Sequence, residues 1–261
     1  MTTRVDSGDA PRFHGRARSQ QAGFSQYVEF GWIDAAAGLA QQGLDKTAAQ
    51  VALTDLLKDR VSVGTEAVRS TRDKVISILV NVWVAPPERL RAMRDEGLLL
   101  WHQGAADERL ALHWGMSMAV YPFFASVAES VGRLATLQGE FNMPQLLRRV
   151  YETFGERQTI TRSAQRVVQS ITQWGLLSKQ PNHVGGYEPA KPRRAQGAYA
   201  LWLTEAYLHA FTAGSSQVRS VVRSPALFPF ELSLPENGSR TGNHRLEFMR
   251  HGLDEDMVAI V

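Results

Sequence analysis

The stretch "GERQTITRSAQRVVQSITQWGLL" occupies residues 155–177 and sets the architecture that we expect around it. Its apolar residues recur at spacings of three and four, which predicts a helix with one buried face. That face comprises Ala164, Val167, Val168, Ile171 and Trp174. Thr159 and Thr161 precede it, and threonine is a common helix N-cap, so we expect the helix to begin at these residues.

The opposite face of this helix carries Arg162, Gln165, Arg166, Gln169 and Gln173, and no carboxylate lies between Thr161 and Trp174. Arg and Gln are the side chains that pair bidentately with guanine and adenine edges. Exposed helices usually mix Glu with Lys and Arg, because pairs of opposite charge stabilise them. The pattern favours a helix that lies in a DNA groove, and the alternative is an exposed helix with incidental arginines.

The flanking segments extend this interpretation. Residues 143–154, "MPQLLRRVYETF", predict a helix with Leu147 and Val150 inward, against which Trp174 would pack. Residues 176–189 contain two short extended segments around a turn rich in Pro, Asn and Gly, which predicts a β-hairpin. Helix, turn, helix and hairpin is the order of a winged helix-turn-helix, whose second helix reads the major groove.

Positive charge is concentrated in this region. Residues 143–195 contain nine Lys and Arg against three Glu, a local charge of +6 in a chain whose net charge is +3. A basic patch is the electrostatic footprint that a polyanion requires. We therefore predict that DNA contacts are made by Arg148, Arg149, Arg157, Thr161, Arg162, Ser163, Gln165, Arg166, Gln169, Lys179, Lys191, Arg193 and Arg194.

The rest of the chain predicts three further regions. Residues 1–22 lack periodicity and predict a flexible basic arm. Residues 23–142 predict a helical bundle whose long helix, 107–137, is kinked at Pro122 and buried at the centre. Residues 196–261 predict a helix over 197–211 followed by a small mixed appendage with two to four strands. The fold class expected is mainly α: a bundle, then a winged helix-turn-helix over 143–195, then the appendage.

The sequence gives little support to catalysis or metal binding. Cysteine is absent, which fits a reducing cytoplasmic compartment, and the seven histidines lack metal-ligand spacing. We expect His102 and His113 to be hydrogen-bonded structural residues, and the acidic cluster 254–256 to be a solvated turn. Phosphate-binding and nucleophile motifs are absent, so we predict no catalytic residues, no metal and no cofactor. The longest apolar run, within residues 75–87, is too short to span a bilayer, which predicts no membrane partner.

Three stretches resemble a known family. They are residues 31–57, "GWIDAAAGLAQQGLDKTAAQVALTDLL", residues 65–84, "TEAVRSTRDKVISILVNVWV", and residues 159–177, "TITRSAQRVVQSITQWGLL". The family is the BrxA-like accessory proteins of BREX phage-defence systems. The first stretch is similar to its opening helices, the second to its Arg-bearing helical block and the third to its closing helix. The resemblance covers about residues 27–190. It implies a helical bundle like that of transcription-antitermination factors, joined to a winged-helix-like module that binds DNA without catalysis.

These observations together predict a non-catalytic subunit or regulator of a bacterial phage-defence system. Its expected partners are double-stranded DNA and other proteins of the defence system. A winged-helix transcriptional repressor is one alternative. A protein–protein adaptor that never contacts DNA is the other. The sequence leaves both alternatives open.

Overall fold

Long apolar helices form the first half of the chain in the computed structural model, as their periodicity predicted. They are α1 (Phe30–Gln41), α2 (Lys46–Leu56), α3 (Thr71–Leu79), a π-helical turn (Val80–Val84), a 3-10 turn (Glu88–Leu90), α4 (Arg91–Gln103), α5 (Ala106–Val120) and α6 (Pro122–Gln138). The structure describes residues 23–61, 70–180, 185–211, 214–235, 243–251 and 255–261. The predicted basic arm, residues 1–22, lies outside these ranges.

One helix prediction in this half is wrong. The long helix expected over 107–137 is two helices, because Tyr121 leaves the helical conformation and Pro122 occupies the first position of α6. Proline lacks an N–H and its ring clashes with the preceding turn, so it begins a helix more readily than it continues one. The buried central position predicted for this segment is confirmed, since residues 110–119 of α5 are all buried.

The second half of the chain alternates helices with short strands. It contains β1 (Phe141–Asn142), α7 (Met143–Phe154), α8 (Gln158–Gln173), β2 (Leu177–Lys179), β3 (Gly186–Pro189), β4 (Arg193–Gln196), α9 (Gly197–Phe211), β5 (Ser215–Gln217), α10 (Val218–Val222), a 3-10 turn (Pro225–Leu227), β6 (Phe230–Ser233), β7 (Leu246–His251) and β8 (Glu255–Ile260). The predicted hairpin of β2 and β3 and the predicted helix over 197–211 are confirmed.

The strands form three small sheets. In the first, β3 lies between β1 and β2 and is antiparallel to both. In the second, β4 and β6 are parallel, and in the third β8 lies between β5 and β7. The molecule is therefore mainly helical with a few small sheets. The predicted turn over 254–256 lies partly outside the described residues, and β8 begins at its second position.

Helix α9 lies in the core of the molecule. The indole nitrogen of Trp202 donates a hydrogen bond to the carbonyl oxygen of Met93, at 2.9 Å. Its ring packs against α4 at Gly97 and against α5 at Gly115, where the absence of a side chain lets the helices approach closely. The predicted boundary at residue 196 therefore runs through a continuous core, which extends from Phe24 to Val258.

A buried carboxylate attaches the chain near β7 to α9. The side chain of Glu205 is 1% exposed and accepts hydrogen bonds from Asn243 at 2.8 Å and from Arg245 at 2.7 Å. Arg245 also pairs with Glu96 on α4, and His209 lies 3.7 Å from Glu205. Burial alone would raise the pKa of Glu205, but the bonds from His209, Arg245 and Asn243 outweigh burial and lower this pKa to about 2. Glu205 is therefore ionised and links α9 to the segment of Asn243 and Arg245, and Arg245 in turn links this segment to α4.

Candidate nucleic-acid interface

The buried face and the exposed face of α8 consist of the residues that the sequence predicted for them. Ala164, Val167, Val168 and Ile171 are fully buried, and Trp174 is 5% exposed. The opposite face exposes Arg162, Gln165, Arg166 and Gln169 to solvent. Nη1 of Arg166 donates to Oε1 of Gln169 at 3.2 Å, so these two side chains already lie together on the surface. The exposed face thus offers guanidinium and amide groups to a ligand.

The start of α8 corrects two predictions. The helix begins at Gln158 with Arg157 at the N-cap, so Thr159 and Thr161 lie inside its first turns and do not cap it. The hydroxyl of Thr161 is 2.7 Å from that of Tyr151 on α7, which joins the two helices. Ser163 is 4% exposed and lies in the core, where it cannot contact DNA. Ser163 is buried because it lies one turn from Ile160 and Val167 on the apolar face, whereas Thr161 is only partly buried.

The end of α8 is bound by a segment from the start of the described chain. The amide of Val28 donates to Oγ of Ser170 at 2.9 Å, and the carbonyl oxygen of Val28 accepts from Nε1 of Trp174 at 3.0 Å. The amide of Phe30 donates to Oε1 of Gln173 at 2.8 Å. We call these three bonds the Val28–Phe30 clamp. The clamp fixes both polar groups of the Val28 backbone to one helix.

Trp174 was expected to anchor α8 against α7 through Leu147 and Val150. Its ring also connects it with the first half of the molecule: the ring of Phe124 on α6 lies 6.0 Å away, centre to centre, and the carbonyl oxygen of Val28 accepts its hydrogen bond. The residue is buried as predicted, and its position depends on segments that are remote in the sequence.

Helix α7 and the hairpin place further cations beside α8. A capping box between Asn142 and Gln145 fixes the start of α7, with bonds of 2.8 and 3.0 Å. Arg148 is exposed on this helix and Arg149 is half-buried. Arg157 is exposed, and its guanidinium donates to the carbonyl oxygen of Phe154 at 3.0 Å. Lys179 is exposed on β2, opposite Tyr187 of β3.

This surface is not purely basic. Glu152, Glu156 and Glu188 are also exposed, on α7, before α8 and on β3. The turn between the two hairpin strands, residues 181–184, lies outside the described residues. The charge excess of residues 143–195 is therefore shared: four of the nine cations lie on α7 and α8, and the other five lie outside these two helices.

The basic segment after the hairpin belongs to a different sheet. Arg193 and Arg194 lie on β4, which pairs with β6 in the register Arg193 to Phe230. The guanidinium of Arg193 forms an ion pair with Asp107 at the start of α5. This ion pair engages the guanidinium of Arg193, and the contact of this residue with DNA stays a prediction. Lys191 and Arg194 are exposed.

The same segment lines an open cleft. The cleft has a volume of about 390 Å³, within the range of small-ligand pockets. Its walls are residues 192–196 of the β4 region on one side and Asp107, Glu108 and Ala111 of α5 on the other, with Tyr199 and Phe230. Glu108 already binds the amide of Ala105, at 2.8 Å, and Arg193 already pairs with Asp107. Within this cleft, Arg193 and Asp107 thus neutralise one another.

A buried polar network in the bundle is structural. His113 is fully buried, and its Nδ1 accepts a hydrogen bond from Nε1 of Trp83 at 3.0 Å. Its Nε2 then carries the proton and donates to Oδ1 of Asp34, at 3.1 Å. Burial lowers the pKa of His113. Burial would raise the pKa of Asp34, but its bonds with His113 and Trp101 outweigh burial and lower it. The structural role predicted for His113 is confirmed, whereas His102 lies exposed on α4.

Within the described residues, no group of three His, Asp or Glu side chains is arranged to hold a metal ion. No helix in the described ranges has the length and apolar character needed to cross a bilayer.

The sequence analysis missed the residues that orient α8: Tyr151 on α7, and Val28, Ser170 and Gln173 in the clamp. The partners of the clamp are more than 140 residues apart, so local periodicity carries no signal for them. Gln173 was assigned to the exposed polar face, and its exposure is confirmed. Its bond to Phe30 could not have been found from the helix pattern.

Comparisons of the whole chain with protein-family models, with curated proteins and with solved structures found no match. The resemblance to BrxA-like proteins therefore stays a prediction.

Proposed function

We propose that α6, β1, α7, α8, β2 and β3 form a winged helix that binds double-stranded DNA through α8. Two features support this proposal: the order helix, strand, helix, helix, strand, strand, and a three-stranded sheet in the order β1-β3-β2. Winged helices place the helix corresponding to α8 in the major groove and use the hairpin that follows as the wing. The protein acts in this proposal by binding, without catalysis.

The observation that carries the proposal is the composition of the exposed face of α8. Arg162, Gln165, Arg166 and Gln169 are all exposed there, while the other face of the same helix is buried. Arg162 and Arg166 are one turn apart near the start of the helix, and the first turns of a recognition helix are those that contact base edges. Arg and Gln on this face would read guanine and adenine, respectively.

The flanking cations would bind phosphates and set the orientation of the helix. Arg148, Arg149, Arg157 and Lys179 lie on the elements that adjoin α8, and we assign them to the DNA backbone. We keep the exposed Lys191 and Arg194 as secondary phosphate contacts, because β4 follows directly after the hairpin. Ser163 has no place in the interface, and Thr161 acts through its bond to Tyr151.

The biological setting proposed is an accessory or regulatory subunit of a bacterial phage-defence system, with other defence proteins as partners. This part rests on the resemblance of three sequence stretches to BrxA-like proteins. A transcriptional repressor and a protein–protein adaptor are the alternatives, and each predicts a different DNA-binding behaviour.

The proposal is tested by the double substitution Arg162→Ala with Arg166→Ala. It removes two exposed guanidinium groups and leaves the buried face of α8 intact, so the melting temperature should stay unchanged. We expect the affinity for a random-sequence duplex to fall by about 1–3 kcal/mol per lost contact, measured by fluorescence anisotropy or gel shift. The slope of log affinity against log salt should decrease by about one for each lost phosphate contact.

A matched control is the double substitution Arg219→Ala with Arg223→Ala, which removes the same charge from exposed positions at α10. It should leave duplex affinity within about twofold, because the long-range effect of two charges is largely screened at physiological salt. Equal losses in both double variants would mean that binding depends on net charge alone. An unchanged affinity in the α8 variant would refute the proposed interface.

The DNA sequence dependence separates the alternatives. Binding that depends on duplex length and only weakly on sequence supports the accessory subunit, whereas protection of one discrete operator supports a repressor. An adaptor would show no duplex binding at about 50 mM salt, where phosphate contacts are strongest.

A further inference from the structure

We propose that Gln173 is a positioning residue for α8, which holds the DNA-binding face at the correct angle without contacting DNA. This inference rests on the proposed function and adds to it the residue that orients the helix. Gln173 lies on the same side of α8 as Arg166, since seven residues are nearly two helical turns. Its exposed side chain would therefore be counted with the DNA-contacting residues from sequence alone.

The geometry assigns Gln173 to a different partner. Its Oε1 accepts the hydrogen bond from the amide of Phe30 at 2.8 Å. Phe30 is the first residue of α1, and an amide at a helix start has no partner within its own helix. The bond therefore satisfies a group that would otherwise depend on water, and it connects the first helix of the chain to the end of α8.

The other two bonds of the Val28–Phe30 clamp reinforce this connection. Ser170 lies one turn before Trp174, and together they bind the amide and the carbonyl of Val28, which is fully buried. The hydroxyl of Ser170 also donates to the carbonyl oxygen of Arg166, at 2.9 Å. The clamp thus reaches the backbone of a residue that carries one of the proposed DNA contacts.

The two ends of α8 are consequently held by different parts of the molecule. Near its start the hydroxyl of Thr161 bonds to Tyr151 of α7, and at its end the clamp bonds to residues 28 and 30. A helix held at both ends presents its side chains in one direction, and such preorganisation lowers the entropic cost of binding. The clamp also occupies the end of the polar stripe, so duplex DNA is confined to the part of α8 from Gln158 to Gln169.

Three substitutions of Gln173 separate positioning from contact. Gln173→Glu keeps an oxygen that can accept from Phe30, Gln173→Ala removes it, and Gln173→Lys replaces it with a donor and adds positive charge. For positioning, we expect Gln173→Glu to bind a random-sequence duplex within about twofold of the unsubstituted protein. Gln173→Ala and Gln173→Lys should bind about three- to tenfold more weakly, the effect of losing one hydrogen bond. The salt slope of Gln173→Ala should be unchanged, because no phosphate contact is lost.

Gln169 provides the matched control, because it lies on the same stripe and accepts a hydrogen bond within that surface, from Arg166. Gln169→Glu should weaken duplex binding by repulsion from phosphate, and Gln169→Lys should strengthen it. The same order at Gln173, with Lys tightest and Glu weakest, would make Gln173 a direct contact and overturn the proposal.

Amide hydrogen exchange at Phe30 gives a readout that does not involve DNA. Exchange there should be faster in Gln173→Ala and Gln173→Lys than in Gln173→Glu, in which the amide keeps its acceptor. Equal exchange in all three variants would overturn the proposal. Absence of duplex binding by the unsubstituted protein would overturn the proposed function and, with it, this role of Gln173, whatever the exchange shows.

Discussion

Gly115 is the point of closest approach between α5 and α9. A methyl carbon added at its Cα would lie 2.4 Å from Cζ3 of Trp202 and 3.1 Å from Cβ of Ala206. Since the indole of Trp202 is also bound to the Met93 carbonyl and packed on Gly97, it has no free direction in which to move. Close packing of this kind makes a core sensitive to a single added carbon.

We expect Gly115→Ala to lower the free energy of unfolding by about 1–3 kcal/mol, because the added methyl group overpacks the contact with Trp202. Denaturant unfolding followed by circular dichroism measures this change in the free energy of unfolding. Gly31→Ala is the control: α1 has open space within 4 Å of that position, and alanine favours a helix over glycine. The free energy of unfolding of Gly31→Ala should equal that of the unsubstituted protein or be slightly higher. Equal stability of the two variants would mean that α9 does not approach α5 as described.

At the scale of elements, charged side chains connect segments that are remote in the sequence. Glu205 on α9 binds Asn243 and Arg245, and Arg245 also pairs with Glu96 on α4. The chain that leads into β7 is therefore attached to two helices of the core, to α9 through Glu205 and to α4 through Glu96. A buried ion pair of this kind costs desolvation, and removing one partner leaves an uncompensated charge.

The pKa of Glu205 makes this connection depend on pH. It is lowered from 4.5 to about 2 in the folded protein, so folding favours the ionised form. The stabilisation, about 3 kcal/mol at most, is complete above pH 4.5 and is lost as the pH falls from 4.5 towards 2. Glu205→Gln should be less stable at pH 7, and its stability should vary less with pH below 4.5. The free energy of unfolding between pH 3 and pH 7 tests this, and parallel curves for the two proteins would contradict it.

Elements whose pattern is local were predicted from the sequence, and their partners were not. The buried face of α8, the hairpin of β2 and β3 and the limits of α9 follow from spacings of two to four residues and from turn residues. The pairing of Arg193 with Asp107 and the bond between Gln173 and Phe30 join residues 86 and 143 positions apart. Hydrophobic periodicity carries no information about such distant pairs. The exposed arginines of the candidate interface were therefore found, while the residues that orient them were not.

The whole molecule has one continuous apolar core. Buried residues from α1 to β8 belong to a single cluster that includes both faces of α9 and the inner face of α8. The regions predicted separately as bundle, winged helix and appendage therefore share their interior. Segments that share a core stabilise one another and unfold together.

We accordingly expect a single cooperative unfolding transition, although the chain has 261 residues. Helix content measured by far-ultraviolet circular dichroism and tryptophan fluorescence should change at the same denaturant concentration, because five of the six tryptophans are buried in this core and the sixth, Trp101, packs against it. Two separated midpoints would show that α7 and α8 unfold independently of the rest.

The space that α4 and α5 leave for Trp202 affects how the protein folds while it is being synthesised. Gly97 and Gly115 are translated well before the tryptophan that fills the space between them. At about 5–20 residues per second, the ribosome needs on the order of 5–20 s to travel from Gly115 to Trp202. Until Trp202 is added, the space between Gly97 and Gly115 is unfilled, and Val28 gains its partners on α8 only after Trp174 has been added. The first helices can therefore pack completely only after the last third of the polypeptide has been synthesised.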